Sequence, residues 1–127
     1  MSILSDFKPF NFNDGVPYAS VTPNGVTFNK SVVMKLGHPE HVVLLIDEEG
    51  KRIAIQACCE SNENAVPFYK PKKNDVISVR WNGKDLLNTL QSMMGWNLNE
   101  KAFRVEGTLL KTENAMLFEL LKATELK

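Results

Sequence analysis

Hydrophobic and polar positions in the first half of the chain form short runs of the length and alternation typical of β-strands. Residues 18–22 and 26–28 are β-prone and flank a Pro-Asn-Gly sequence that favours a tight turn. Residues 42–46 are continuously apolar, and residues 51–58 alternate after an acidic turn that ends in glycine. We therefore predict two hairpins in this half of the chain.

Two other segments show helical periodicity. Asn29 precedes a short segment that ends at Gly37, and Asn82 precedes a longer one that ends at Gly95. Asparagine is a favoured N-cap and glycine a favoured C-terminal stop, so each segment is predicted to be an Asn-capped helix. The apolar positions are Val32, Val33 and Leu36 in the short helix and Leu86, Leu87, Leu90, Met93 and Met94 in the longer one.

Strand patterns return in the second half, at residues 66–68, 76–81 and 103–109. Residues 115–126 allow two interpretations, because their composition favours a helix whereas the alternation of Met116, Phe118 and Leu120 permits a strand.

The two halves show the same order of elements: strand, turn, strand, Asn-capped helix and hairpin. Residues 16–18 and 66–68 are similar, and Phe28-Asn29 corresponds to Trp81-Asn82. We predict one α+β domain over residues 1–127, with an irregular lead-in at 1–15. Two tandem strand–strand–helix–hairpin repeats, at 16–59 and 66–126, would form a pseudo-twofold small barrel or closed antiparallel sheet with two helices. This correspondence favours a strand over residues 115–126.

The segment from Gly25 to Gly37, with the hairpin that follows to Ile55, resembles the AbrB-like swapped-hairpin fold of bacterial transition-state regulators and antitoxins. The resemblance covers mainly residues 25–55, with a divergent second copy. It implies a strand, a short helix ending in Leu-Gly and a hairpin, with two copies interlaced into a small DNA-binding barrel. Asn29 stands where the family usually has proline.

Composition fits one folded domain, with 127 residues of which 43% are hydrophobic and 24% charged. Fifteen basic and fifteen acidic residues give zero net charge, which weakens the expectation of nonspecific nucleic-acid binding. The adjacent Cys58 and Cys59 favour reduced thiols, and no apolar run approaches the length of a membrane span. We expect a cytoplasmic bacterial protein, either a monomer or a homodimer, without a membrane partner.

Candidate chemistry is sparse. The sequence has no glycine-rich phosphate loop and no Gly-x-Ser-x-Gly motif, so we expect no enzyme, no catalytic residues and no cofactor. His38 and His41 fall short of a complete zinc ligand set, so no metal site is predicted. The densest basic segment could contact phosphates. The candidate nucleic-acid-binding residues are Lys30, Lys35, Lys70, Lys72, Lys73 and Arg80.

Three functions remain open on these grounds. The first is a noncatalytic module that binds DNA or RNA in association with transcription. The second is a protein–protein adaptor of a bacterial or mobile-element family, which the neutral charge fits equally well. The third is a small-ligand binder that uses a cavity inside the barrel.

Overall fold

The computed structural model describes residues 15–70 and 77–126, together with Ser5. The first half contains β1 (Tyr18–Thr22), β2 (Gly25–Phe28), α1 (Lys30–Lys35), β3 (His41–Asp47), β4 (Arg52–Ala57) and β5 (Val66–Pro67). The second half contains β6 (Val79–Trp81), α2 (Lys84–Met94), β7 (Ala102–Leu110), β8 (Ala115–Glu119), a turn of 3₁₀ helix (Leu120–Lys122) and β9 (Thr124–Leu126).

The nine strands form one sheet in the order β5-β3-β4-β8-β7-β1-β2-β6, and β9 pairs with the start of β7. Every pairing is antiparallel. The sheet curls into a half-barrel. As a result β5 and β6, which end the strand order, both border one surface groove.

Apolar side chains fill the inside of the curled sheet. Phe28 lies at their centre, with its ring 5.0 Å from Trp81, 5.5 Å from Phe68 and 5.7 Å from Phe118 between centroids. The longer helix buries Leu87, Leu90 and Met93, as its apolar periodicity predicts. Other fully buried side chains of this core include Val21, Val26, Val32, Val33, Val42, Ile55, Val105, Met116 and Leu120.

The helix ends follow the predicted chemistry in three of four cases. The Asn29 side chain caps α1 by accepting a hydrogen bond from the Val32 N–H at 3.2 Å. Gly37 and Gly95 follow the two helices with positive φ angles of 81° and 69°, which glycine adopts without a Cβ penalty. The predicted Asn82 cap is wrong: Gly83 is the N-cap of α2 and forms no side-chain capping bond.

The predicted architecture of two tandem repeats closing a pseudo-twofold barrel is wrong. The molecule is one curled, mostly antiparallel sheet with only two small helices. The first half opens with the β1–β2 hairpin, whereas the corresponding strands of the second half, β5 and β6, pair with β3 and β2 and, within the described residues, not with each other. Segments with similar local sequence therefore form strands that pair with different partners in the two halves.

Residues 115–126 form β8, then the 3₁₀ turn, then β9, so only part of the segment extends the sheet as one strand. The candidate basic residues Lys72 and Lys73 lie outside the described residues. No helix in the described part of the chain is long and apolar enough to cross a lipid bilayer.

Candidate functional site

An apolar groove lies between β5, β6 and the start of α2. Its volume is about 500 Å³, and it opens at the surface where the two strands that end the sheet come close together. Leu44, Val66, Pro67, Arg80, Trp81, Asn82, Gly83, Asp85 and Leu86 line it.

The groove exists because β5 and β6 do not form a ladder with each other. Within the described residues, β5 pairs with β3 alone and β6 pairs with β2 alone. One side-chain bond bridges the gap, in which the Trp81 Nε1–H donates to the Pro67 carbonyl at 3.2 Å. This bond fixes the indole ring across the gap between the two strands.

Trp81 connects the groove to the core. Its ring packs edge-on against Phe28, and its centroid lies 5.9 Å from that of Phe68. Val66 lies on the other wall with 37% of its surface exposed. Leu86 completes the apolar wall from α2 and is only partly buried. These three side chains offer a partly solvated apolar surface.

Charged groups lie at the rim of the groove. Arg80 is exposed and donates through Nε to the Thr27 hydroxyl at 3.2 Å. Asp85 is exposed in the first turn of α2, where the helix dipole favours a carboxylate. The groove therefore suits an apolar side chain with a polar neighbour, and its described lining residues include no nucleophile–base pair of the kind that covalent catalysis requires.

The predicted nucleic-acid residues are not all brought together. Lys30 and Lys35 occupy the two ends of α1, whereas Lys70 follows β5 and Arg80 lies on β6. Of the four members that the structure describes, Arg80 lines the groove.

Arg80 also belongs to a row of polar side chains that crosses the outer face of the sheet. Cross-strand pairing places Arg80 opposite Thr27, Thr27 opposite Ser20, and Ser20 opposite Arg104. The Arg104 guanidinium lies 4.0 Å from the centre of the Tyr18 ring, a cation–π contact. Sequence reasoning missed Arg104, because its place beside Ser20 follows from a pairing between distant strands.

The other candidate groups serve local structure. The His38 ring packs edge-on against Tyr69 with centroids 5.1 Å apart, and Cys58 and Cys59 are free thiols. In residues 15–70 and 77–126, no group of three or more His, Cys, Asp and Glu side chains is arranged to hold a metal ion.

The acidic turn between β3 and β4 is also structural. The Gly50 N–H donates to Asp47 Oδ1 at 3.0 Å, and Arg52 Nε donates to Asp47 Oδ2 at 2.8 Å. The Gly50 bond, followed by the Arg52 bond, lowers the pKa of Asp47 below its ordinary value of 3.8. Asp47 is thus held as a charged acceptor, which is the opposite of what a general acid needs.

Comparisons of the chain with protein-family models, with curated proteins and with solved structures gave no match. The resemblance to the AbrB-like fold therefore stays a prediction, and the groove is interpreted from its own geometry.

Proposed function

We propose that this chain is a noncatalytic protein-binding module that holds an apolar segment of a partner protein in the groove between β5 and β6. The observation that carries the proposal is the groove itself, where Val66, Trp81 and Leu86 form an apolar surface open to solvent. Partly exposed tryptophan is enriched at the energetic centres of protein interfaces.

A protein segment fits this groove better than a small ligand does. Small-molecule sites enclose most of the ligand and place several convergent polar groups around it. Here the charged lining groups, Arg80 and Asp85, are exposed at the rim. The inside of the sheet is filled by core side chains such as Phe28 and Phe118, which favours a surface groove over an interior cavity.

Selection from a displayed library of random dodecapeptides tests the proposal. We expect the full chain to enrich peptides that Val66→Glu no longer binds, because a carboxylate placed in the groove would be desolvated without a partner. Leu121→Glu is the matched control: Leu121 is 73% exposed and is not among the groove-lining residues.

Binding is measured by tryptophan fluorescence with Trp96→Phe as the background, since the chain has two tryptophans and this change leaves Trp81 as the reporter. We expect Val66→Glu to weaken binding by at least about tenfold, or about 1.4 kcal/mol, and Leu121→Glu to leave it unchanged. Failure to enrich any peptide, or equal binding by both variants, would overturn the proposal.

A second candidate function is nucleic-acid binding by the outer face, favoured by the row that runs from Arg80 through Thr27 and Ser20 to Arg104. The two arginines lie three strand spacings apart, roughly 14 Å. Arginine with serine and threonine hydroxyls is a common set of phosphate contacts.

The test is anisotropy with labelled single-stranded and duplex DNA over a range of salt concentrations. Arg104→Glu should weaken binding and reduce the salt slope by about one, while Lys111→Glu in the exposed β7–β8 turn should do neither. Absence of salt-dependent binding, or equal effects of the two changes, would reject this candidate.

A further inference from the structure

The pairing of β2 decides which backbone groups of β6 are free. The Asn29 N–H donates to the Tyr18 carbonyl, so Asn29 directs its backbone groups toward β1. Successive residues of a strand direct these groups to opposite sides. Thr27 therefore also bonds toward β1, whereas Val26 and Phe28 bond toward β6.

Arg80 consequently has its backbone groups on the open side of β6. Its cross-strand neighbour is Thr27, whose backbone N–H and C=O bond to β1. Val79 pairs with Phe28 and Trp81 pairs with Val26, and these two β2 residues direct their backbone groups toward β6. The close approach of the Trp81 carbonyl to Gly25 supports this orientation. The Arg80 N–H and C=O thus point away from β2, on the side where no strand of the described chain pairs with β6.

The facing edge of β5 offers no such groups. The Phe68 N–H bonds to the Glu40 carbonyl on the β3 side, so Val66, two residues earlier, also bonds toward β3 and Pro67 faces the groove. Pro67 has no N–H, and its carbonyl already accepts from Trp81. Of the two strands that border the groove, β6 is therefore the one with backbone groups free to receive another strand in the described part of the chain.

We infer that the partner segment is an extended strand that adds to the free edge of β6, exchanging backbone hydrogen bonds with Arg80. This inference rests on the proposed function and names the partner's chemistry. The bonded residue directs its side chain to the outer face beside the Arg80 guanidinium, which favours an acidic residue. The residues on either side direct theirs inward, beside Trp81 and Val66, which favours apolar residues.

The size of the edge favours a short segment over a second copy of the chain. β6 has three residues, which is about 10 Å of strand, and the groove has a volume of about 500 Å³. A stable dimer buries about 800 Å² on each partner, far more than one three-residue edge provides. The motif expected is apolar–acidic–apolar within an extended peptide.

Two substitutions of one residue separate the backbone from the side chain. Arg80→Pro removes the free N–H, whereas Arg80→Ala keeps it and removes the guanidinium. With a peptide selected on the full chain as the probe, we expect Arg80→Pro to weaken binding about tenfold and Arg80→Ala about threefold or less. Thermal unfolding of both variants checks that they are folded.

A peptide N-methylated at its central residue tests the same bond on the unchanged protein. It should bind about tenfold more weakly than its parent, whereas methylation at a neighbouring residue should have a smaller effect. If Val66→Glu abolishes binding but Arg80→Pro and central methylation do not, the groove binds a partner without strand addition and the inference is wrong. If Val66→Glu has no effect, the proposed function itself fails.

Discussion

The consecutive strands β1 and β2 are paired in the sheet, whereas the consecutive strands β5 and β6 are not paired with each other in the described chain. β1 and β2 form a continuous ladder from Ala19↔Phe28 to Thr22↔Gly25 across a two-residue turn. β5 and β6 are joined by the single bond from Trp81 Nε1 to the Pro67 carbonyl. One pair is closed by backbone bonds, and the other is left open by their absence in the described chain.

Local chemistry explains the difference. In the first pair, the Thr22 hydroxyl accepts from the Asn24 N–H at 3.1 Å, and Gly25 adopts a φ of +139°. In the second, Pro67 lacks the N–H that a ladder toward β6 would require, and the linking segment is long. β1 and β2 form a hairpin across a two-residue turn, whereas β5 and β6 border a groove. Three predictions test this comparison.

The largest effect is expected from Gly25→Ala. An alanine Cβ at this position would lie 2.3 Å from the Trp81 carbonyl oxygen, and a φ of +139° strains any residue with a side chain. Backbone strain alone costs about 1–3 kcal/mol, so the free energy of unfolding should fall by at least that amount in urea titrations.

Gly83→Ala, at the N-cap of α2 beside the groove, is the control, because its Cβ would meet nothing within 4 Å and its φ is −61°. Because alanine is a poorer N-cap than glycine, we expect a loss of no more than about 1 kcal/mol. Equal destabilisation by the two substitutions would contradict the view that Gly25, at the start of β2, is a tightly constrained position.

A smaller effect is expected from Asn29→Ala, which removes the α1 cap. The Asn29 side chain also accepts from the Tyr18 N–H at 3.1 Å and donates to the Val16 carbonyl at 2.9 Å, so it ties β1 to the helix. Loss of such a cap costs about 1–2 kcal/mol.

Gly83→Ser is the complementary change, since it adds a capping hydroxyl to a helix whose N-cap makes no side-chain bond. Chemical denaturation should show a gain of a few tenths of a kcal/mol, as expected for glycine replaced by a capping residue. A loss at this position would show that the start of α2 needs glycine for another reason.

The smallest effect concerns the β3–β4 turn, which is closed by side chains. Because the folded-state pKa of Asp47 is lowered below 3.8, its stabilisation is present above that pH and is lost as pH falls through the folded pKa. The melting temperature of Asp47→Asn should therefore be lower than that of the unchanged protein near neutral pH. This difference should disappear below about pH 4.

Glu49→Gln, which alters a charge in the same turn without touching the bond to Arg52, serves as the control for Asp47→Asn. A gap between Asp47→Asn and the unchanged protein that persists at low pH would show that the ionised carboxylate is not its source.

Elements fixed by near neighbours were predictable from the sequence. The β1–β2 and β3–β4 hairpins, the Asn29 cap and the apolar stripe of α2 all follow from residues within a few positions of one another. The prediction of Asn82 as the N-cap was wrong: asparagine is a favoured N-cap residue, but the N-cap of α2 is the next residue, Gly83. The tandem-repeat prediction assumed that segments with similar sequence would also form the same strand pairings, and this assumption was wrong.

The sequence by itself determined the β1–β2 and β3–β4 hairpins and the presence of the two helices, because alternation, glycine and capping residues act over a few bonds. Tertiary structure alone decided that β6 pairs with β2 while β5 pairs with β3, and that Arg80 lies in a row with Arg104. These partners are far apart in the chain, and their pairing depends on which arrangement buries Phe28, Phe68 and Trp81 together. The groove results from this pairing of β5 with β3 and of β6 with β2.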